Sequence, residues 1–443
     1  MNAMVPPPAA VPTEIRPASP RPQQRFVALE WLRFGLGLYI VLFHTIYHYS
    51  ASWPWAHYLS DLGFFSTSTF FVLSGFLLTH VYLRPQPVGD FAMRESTRSF
   101  LIKRIANLYP IHIGAILITA AVLCLLAWMR VTPDDAAHAS IRFVIYDVND
   151  GSPIEKLYHM LGNAELFRAV VMNLTMLQAW NPYYLTLNAP AWSISTLLFF
   201  YICFPWAAPR LHRLHKPLLA IAVFNLIYLL FPLAAILTHQ YGMPVTGILH
   251  RNPLVRLPEF LCGILLCTYY HRQVSQGRAL SGAGALLCAG WIVFNLLAAS
   301  WLLHRGAAFY FLLHDGLMLS AQLCLLYLFL FLPSPRSERW QRIATRFGGA
   351  SLPMFALHVP LYLLFSRIEM VLAGQPGLCR QSLRSCFDAA GHVSPLWYGL
   401  YLLLTVVFCL FFQERIVVPV RQTLQNWLLP MAGSRSGSHP QAT

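Results

Sequence analysis

The chain has 443 residues, of which 57% are hydrophobic and only 11% are charged. Soluble globular domains carry about 25% charged residues, so a soluble fold is excluded and a multi-span membrane protein is expected. The net charge of +14 does not require a nucleic-acid partner, because Arg-rich cytoplasmic loops produce the same excess in membrane proteins. The apolar runs are long and continuous, unlike the alternating segments of about ten residues that form membrane β-barrels.

The chain begins with a polar segment and continues as a series of apolar spans. Residues 1–25 are rich in Pro, Ala and Arg and have no apolar core of signal-peptide type, which predicts a disordered cytoplasmic tail that is not cleaved. About ten apolar spans follow, so the predicted fold is an all-α polytopic bundle in a lipid bilayer. The spans cover residues 28–49, 62–82, 107–128, 190–209, 218–238, 254–271, 279–300, 308–332, 348–371 and 396–414.

The distribution of basic residues predicts the orientation of these spans. With the N-terminus inside, most Arg and Lys residues fall in cytoplasmic segments, so both termini are expected inside. The membrane domain then covers residues 26–415, and residues 416–443 form a cytoplasmic C-terminal tail. The long loop 129–189 lies outside, is mildly acidic, and has the length of a loop that carries its own short elements.

The cysteines give no indication of a metal site. No CxxC pair is present, and no carboxylate–His pair has ligand spacing on one helix, so no metal ligand is predicted. Most cysteines lie in apolar spans, as buried thiols do. Cys379 and Cys386 share one polar loop, and either a disulfide or two free thiols fits this position.

The first span, Leu29–His48, carries Glu30, Arg33, His44 and His48 within an apolar helix. Arg33 and His44 are separated by about three turns, so they lie on one face, roughly 16 Å apart along the axis. Ionisable groups inside a membrane helix usually face the bundle interior or a water-filled path. Imidazole titrates near pH 6.5 and is suited to act as a base, so His44 is a candidate catalytic residue, with a hydrogen-bonded core histidine as the alternative.

Five later stretches carry polar or small residues within apolar spans. They are FFVLSGFLL (70–78), FLIKRIANLYP (100–110), APAWSISTLLFFYICFP (189–205), RLPEFLCGILL (256–266) and SLPMFALHVPL (351–361). Together with the Arg33–His44 helix, in this order and spacing, they resemble the acyltransferase family 3 of integral membrane O-acyltransferases. That family includes enzymes that acetylate bacterial O-antigen, exopolysaccharides and other sugars. The resemblance covers about residues 26–415.

The resemblance implies a reaction and a set of donor-binding residues. His44 would be the catalytic base, and acyl-CoA would be the donor substrate, with no bound cofactor. Arg33 and Arg104 would bind the anionic donor, assisted by Lys103 and Asn107, although simple positive-inside anchoring also explains such arginines. The acceptor would be a carbohydrate or lipid-linked glycan, and the location the bacterial cytoplasmic (inner) membrane.

Further polar residues are candidates for the acceptor site or its lining. These are Ser74, Trp192, Ser193, Arg256, Glu259 and His358. Each has a structural alternative. Ser74 and Gly75 are typical of close helix packing, which we favour for them. Trp192 fits a membrane-interface anchor equally well, and Arg256 with Glu259 fits a simple ion pair.

Three departures from the family pattern affect the expected site. Many members have Arg-x-x-Arg before Tyr-Pro, whereas this chain has Asn107 in place of the second Arg. Many have Glu after the WSxS motif, where this chain has Thr196–Leu198. Members often have Asp before FFVLSGF, where this chain reads Ser66–Thr69. We interpret these changes as those of a divergent but active subgroup.

Two other classes of function are compatible with intramembrane polar groups. His314 and Asp315 add ionisable groups in the eighth span, and such groups also mark ion and proton paths in transporters. Against transport, the sequence shows no pair of broken helices in corresponding halves. A sensory or structural membrane protein would use the same groups only to hold helices together. The sequence leaves open which acceptor is used and whether the acyl group is acetyl, succinyl or longer.

Overall fold

The computed structural model describes residues 26–49, 53–85, 91–129, 142–148, 154–160, 162–389 and 394–433, and the predicted tail 1–25 lies outside them. Over these residues the chain forms ten long helices: α1 (Val27–Thr45), α2 (Gly63–Tyr82), α3 (Thr97–Trp128), α4 (Trp192–His212), α5 (Pro217–Leu237), α6 (Pro253–Ser275), α7 (Gly282–Leu302), α8 (Ala307–Leu312 and Leu319–Leu330), α9 (Ser351–Ala373) and α10 (Leu396–Phe412). In this part of the chain nine helices are long and apolar enough to cross a membrane. The exception is α6, which carries Arg256 and Glu259. The predicted all-α membrane bundle is confirmed.

The connecting segments contain short helices and two small antiparallel hairpins. β1 (Leu83–Pro85) pairs with β2 (Phe91–Met93) between α2 and α3. β3 (Arg142–Val148) pairs with β4 (Ile154–Met160) within the loop predicted at 129–189. Short helices are Ala56–Leu59, Asn163–Leu174, Val245–Arg251, Glu338–Gly349, Pro376–Gln381 and Leu383–Asp388, and 3₁₀ turns are Ile46–Tyr49, Gln178–Trp180, Ala189–Ala191 and Leu303–Arg305. The long loop thus carries its own elements, as its length predicts.

Two glycines bring the backbones of α2 and α6 into close contact. A β-carbon placed on Gly75 would lie 2.1 Å from the Phe260 carbonyl oxygen. One placed on Gly263 would lie 2.0 Å from the Val72 carbonyl oxygen. Only glycine permits such an approach of two backbones, as in other membrane helix pairs with small residues at their interface. The packing interpretation of the LSGF stretch is confirmed.

This contact predicts a large effect of a single added methyl group. We expect Gly263→Ala to destabilise the protein by at least about 1–3 kcal/mol, because the new Cβ meets backbone that cannot move aside. The measurement is thermal unfolding of purified protein in detergent. Gly290→Ala on α7 is the matched control, since a β-carbon there meets nothing within 4 Å. Equal stability of the two variants would contradict the close contact.

Helices α1 and α9 run in the same direction with a constant register. Gly37 packs against Ser351, with 3.1 Å between a built Gly37 Cβ and the Ser351 Cα. Two turns farther along, His44 faces His358 with 4.8 Å between ring centroids. One more turn brings His48 against Tyr362 at 5.0 Å. The glycine contact therefore sets the register that brings the two histidines together.

Two segments add detail to the sequence expectations. The helix of α10 does not end near residue 415 but continues through Gln413–Val417 and Val418–Gly433. The predicted C-terminal tail 416–443 is therefore helical as far as Gly433, and residues 434–443 lie outside the described residues. The extension is held by packing against α3, which local sequence pattern does not reveal. Cys379 and Cys386 form a disulfide, which decides the alternative left open above.

Candidate active site

His44 and His358 form a pair of imidazoles at the contact of α1 and α9. His44 Nδ1 lies 3.0 Å from the Ile40 carbonyl, and His358 Nδ1 lies 2.9 Å from the Met354 carbonyl. A carbonyl only accepts, so each Nδ1 carries the proton and each Nε2 carries the basic lone pair. The His358 side chain is fully buried, and its Nε2 has no partner among the described residues. The pair thus places a buried acceptor nitrogen beside a half-buried imidazole.

A buried ionic network occupies the space between α2, α5, α6 and α8. Arg256 lies 3.0 Å from Glu259 and 3.5 Å from Asp315, and all three side chains are buried. Arg256 also donates to Ser68 Oγ at 2.6 Å. The Tyr228 hydroxyl donates to Glu259 at 3.1 Å. Arg256 and Glu259 are therefore more than the simple ion pair that their spacing allows, because three further helices contribute to the network.

The network is associated with a break in α8. Asp315 and Gly316 depart from helical geometry, with φ 115° at Gly316, a conformation that glycine adopts readily. The break releases the His314 carbonyl from helical pairing, and Arg256 Nη1 donates to it at 2.8 Å. Irregular backbone at membrane depth requires such an internal partner. The eighth span predicted at 308–332 is present as Ala307–Leu330, and the His314–Gly316 triplet is the local sequence feature at which it breaks.

Trp192, predicted either to contact sugar or to anchor at the interface, is buried at the start of α4. Its ring lies 4.9 Å from that of His250 and 6.0 Å from that of Phe71, which excludes a lipid-exposed anchor. Burial lowers the pKa of His250 well below its usual range, so this imidazole is neutral at pH 7. Ser193 donates to the Pro190 carbonyl at 3.0 Å, which is a local capping contact.

Two of the predicted donor-site residues, Arg33 and Arg104, lie near Tyr201 on α4. The Tyr201 hydroxyl is in hydrogen-bonding reach of Ser74 and in electrostatic range of Arg33 and Arg104. Ser74 also donates to the Phe70 carbonyl at 2.8 Å, as a helical serine commonly does. The sequence offered no reason to select Tyr201, because its place among these residues depends on how α1, α2, α3 and α4 pack.

Each arginine of this group has its own polar partner. Arg33 pairs with Glu30 at 3.1 Å, one turn away on α1. Arg104 donates to the Tyr82 hydroxyl at 2.6 Å and lies over the Tyr82 ring, 5.1 Å from its centroid. The partners hold both guanidinium groups in fixed positions on the same side of the bundle.

Lys103 and Asn107 lie on either side of Arg104 and differ in their contacts. Lys103 forms an ion pair with Glu95, so it does not join the Tyr201 group directly. Asn107 Oδ1 accepts a hydrogen bond from Arg421 Nη1 at 3.3 Å. Arg421 belongs to the helical extension of α10. A guanidinium is thus present beside Asn107, although the sequence has no arginine at that position.

The other departures from the family pattern also have structural counterparts. Ser68, in the stretch where members often have Asp, contacts Arg256, and the carboxylates that face this arginine come from Glu259 and Asp315. Thr196 donates to the Arg251 carbonyl at 3.3 Å, and Leu197 is buried. The Asp315 carboxylate therefore pairs with an arginine.

The site has two parts joined by α1. One part holds the cations Arg33 and Arg104, and the other holds the His44–His358 pair. The two lie on one helix face, about 16 Å apart along the axis. This arrangement suits the binding of an elongated anionic molecule at one end and base chemistry at the other.

Comparison with known proteins assigns the chain to a family. The family model for an acyltransferase domain, acyltransferase 3, matches residues 26–414. The chain is 30% identical over 184 residues to "Protein 2 in picA locus" of Rhizobium radiobacter. The aligned segment covers 40% of this chain and 78% of that protein. No solved structure matches. The match over nearly all of the membrane bundle shows that the chain is an integral membrane acyltransferase and belongs to the acyltransferase 3 family.

Proposed function

We propose that the protein transfers an acyl group, most simply acetyl, from cytoplasmic acyl-CoA to a hydroxyl of a cell-surface or secreted carbohydrate. The proposal places it in a bacterial inner membrane with both termini inside. The family supports acyl transfer, and the positive-inside pattern supports the orientation. The observation that carries the proposal is the α1 face that joins Arg33 to the His44–His358 pair.

The cationic part of the site has the chemistry needed to bind the donor. CoA carries several phosphate charges, and Arg binds phosphate bidentately. Arg33, Arg104 and Arg421 supply three guanidinium groups at the predicted cytoplasmic side of α1, α3 and α10. With the phosphates held there, the pantetheine arm extends toward His44 over a distance of about 16 Å along α1.

The proposed chemical step needs one base and no covalent enzyme intermediate. His44 Nε2 removes the proton from the acceptor hydroxyl as its oxygen attacks the thioester carbonyl. The C–O bond forms, the C–S bond breaks, and CoA leaves as a thiolate that takes up the proton from the His44 imidazolium. His358 Nε2, buried and lacking a protein partner, accepts a hydrogen bond from the acceptor and orients it. The products are an ester and CoA-SH.

The proposal is tested with membranes that contain the wild-type protein. They are incubated with radiolabelled acetyl-CoA and a bacterial polysaccharide or a lipid-linked oligosaccharide, and ester-linked label is measured after alkaline release. We expect label in carbohydrate that depends on both the protein and the donor. Labelling equal to that of membranes without the protein, across acetyl and succinyl donors, would contradict it. Uptake of substrate without dependence on CoA would favour transport instead.

The contact between Asn107 and Arg421 gives a prediction about donor affinity. We expect Arg421→Gln to raise the KM for acyl-CoA about tenfold with little change in kcat, because one charge-assisted phosphate contact is lost. Steady-state kinetics at varied acyl-CoA measures this. Arg415→Gln, at an exposed position on the same helix, is the matched control. An unchanged KM in Arg421→Gln would remove this residue from the donor site.

A further inference from the structure

A cluster of two histidines and a cysteine lies apart from the proposed active site, near the C-terminal ends of α2 and α6. His80 is in the last turn of α2, and Cys267 and His271 are one turn apart on α6. The three potential ligand atoms all lie within 4.8 Å of one another. We propose that this cluster is a binding site for a thiophilic divalent cation, with zinc as the expected ion.

The distance between the two imidazoles fits metal ligation. His80 Nδ1 lies 3.2 Å from His271 Nε2, and the rings are stacked at 5.2 Å between centroids. Two nitrogens bonded to a tetrahedral zinc at about 2.0–2.1 Å lie roughly 3.3–3.4 Å apart. The imidazoles are therefore already close to the separation that a shared ion requires. The Cys267 sulfur lies within 4.8 Å of both nitrogens. A movement of about 1 Å would bring it within bonding distance of the same ion.

The position of the cluster is fixed by the close backbone contact between α2 and α6. Gly75 and Gly263 hold α2 and α6 together, and the three ligands lie one to two turns beyond this contact on the same pair of helices. Cys267 is fully buried, whereas both histidines are half-buried. The ligands are thus presented by rigid elements, as a metal site requires, and they do not depend on a loop.

The donor set selects the class of ion. A thiolate and two imidazoles are borderline to soft ligands and suit zinc, whereas magnesium and calcium require oxygen ligands. In the predicted orientation the site faces the cytoplasm, where thiols remain reduced. A cleft of about 680 Å³ lies nearby and is lined in part by Phe26, Tyr270 and Arg278. Phe26 packs directly on His80, with 4.8 Å between ring centroids.

The proposed role is structural, and the site does not take part in acyl transfer. An ion shared by His80 on α2 and by Cys267 and His271 on α6 would link the two helices beyond their glycine contact. Part of the site is visible in the sequence, because Cys267 and His271 have ligand spacing on one helix although they form neither a CxxC nor a carboxylate–His pair. The third ligand comes from a distant part of the chain, so only the fold completes the site.

The test is metal binding by the full chain purified in detergent. After removal of metal by chelation, the wild type is titrated with CoCl2 and with ZnCl2. We expect one ion per chain, a thiolate-to-cobalt absorption band in the near ultraviolet, and a higher Tm on addition of zinc. Cys267→Ser should lose the absorption band and weaken binding at least tenfold. Cys262→Ser, at another buried cysteine of α6, should leave both unchanged.

Other results of this test would overturn the proposal. Absence of bound metal in the wild type, or a cobalt spectrum that Cys267→Ser leaves unaltered, overturns the proposal. Binding that persists in Cys267→Ser and in His271→Gln identifies surface histidines as the ligands and also overturns it. His271→Gln, at a half-exposed position, keeps the test valid if Cys267→Ser does not fold. The Tm of each variant in metal-free buffer shows whether it folds.

Discussion

Replacement of His44 by alanine is expected to lower kcat for acyl transfer by about 10²–10⁴-fold, the usual contribution of a general base. The KM for acyl-CoA should stay close to that of the wild type, because the proposed donor site, with Arg33 and Arg104, lies at the other end of α1. Steady-state rates of label transfer to carbohydrate, at varied acyl-CoA, measure both constants. A lowered kcat without a change in KM separates a chemical role from a binding role.

His48→Ala is the matched control for this prediction. His48 follows His44 by one turn on α1, but it is exposed and stacks on Tyr362, outside the His44–His358 pair. Its replacement should leave kcat near the wild-type value. If His44→Ala retains wild-type kcat, the base is another group. If both variants lose activity equally, the effect arises from the packing of this end of α1.

Replacement of Arg256 by methionine is expected to destabilise the protein by about 3–5 kcal/mol. The change leaves Glu259 and Asp315 buried without their shared cation, and it also removes the shorter of two hydrogen bonds to the His314 carbonyl at the break in α8. Methionine is long enough to occupy much of the same space, so loss of volume contributes little. Thermal or denaturant unfolding of the purified protein measures the change.

Two further variants separate the buried charge from general effects of mutating α6. Arg272→Met removes the other arginine of this helix, which is only partly buried and donates to the His215 carbonyl, and it should cost much less. The double variant Arg256→Met/Glu259→Gln should be more stable than Arg256→Met alone, because one uncompensated carboxylate is gone. If Arg256→Met is as stable as Arg272→Met, the charge of Arg256 is not needed for the stability of the protein.

The departures from the family pattern show that a single sequence position does not reveal which charged groups a site contains. Asn107 alone indicates loss of a cation, yet Arg421 approaches it from α10, more than 300 residues along the chain. Ser66–Thr69 alone indicates loss of an acid, yet Asp315 and Glu259 face the arginine that Ser68 contacts. Another helix can supply a functional group that a motif lacks, and the sequence of the motif gives no sign of this.

The sequence by itself determined the class of the protein, its helices and the face of α1 that carries Arg33 and His44. These depend on hydropathy and on spacing within one helix, which are local properties of the chain. Only the tertiary structure decided which groups meet: His44 with His358, Arg256 with Asp315, and His80 with Cys267 and His271. The contacts between α1 and α9 and between α2 and α6 are set by glycines that allow close backbone approach, and their register is a property of the packed pair.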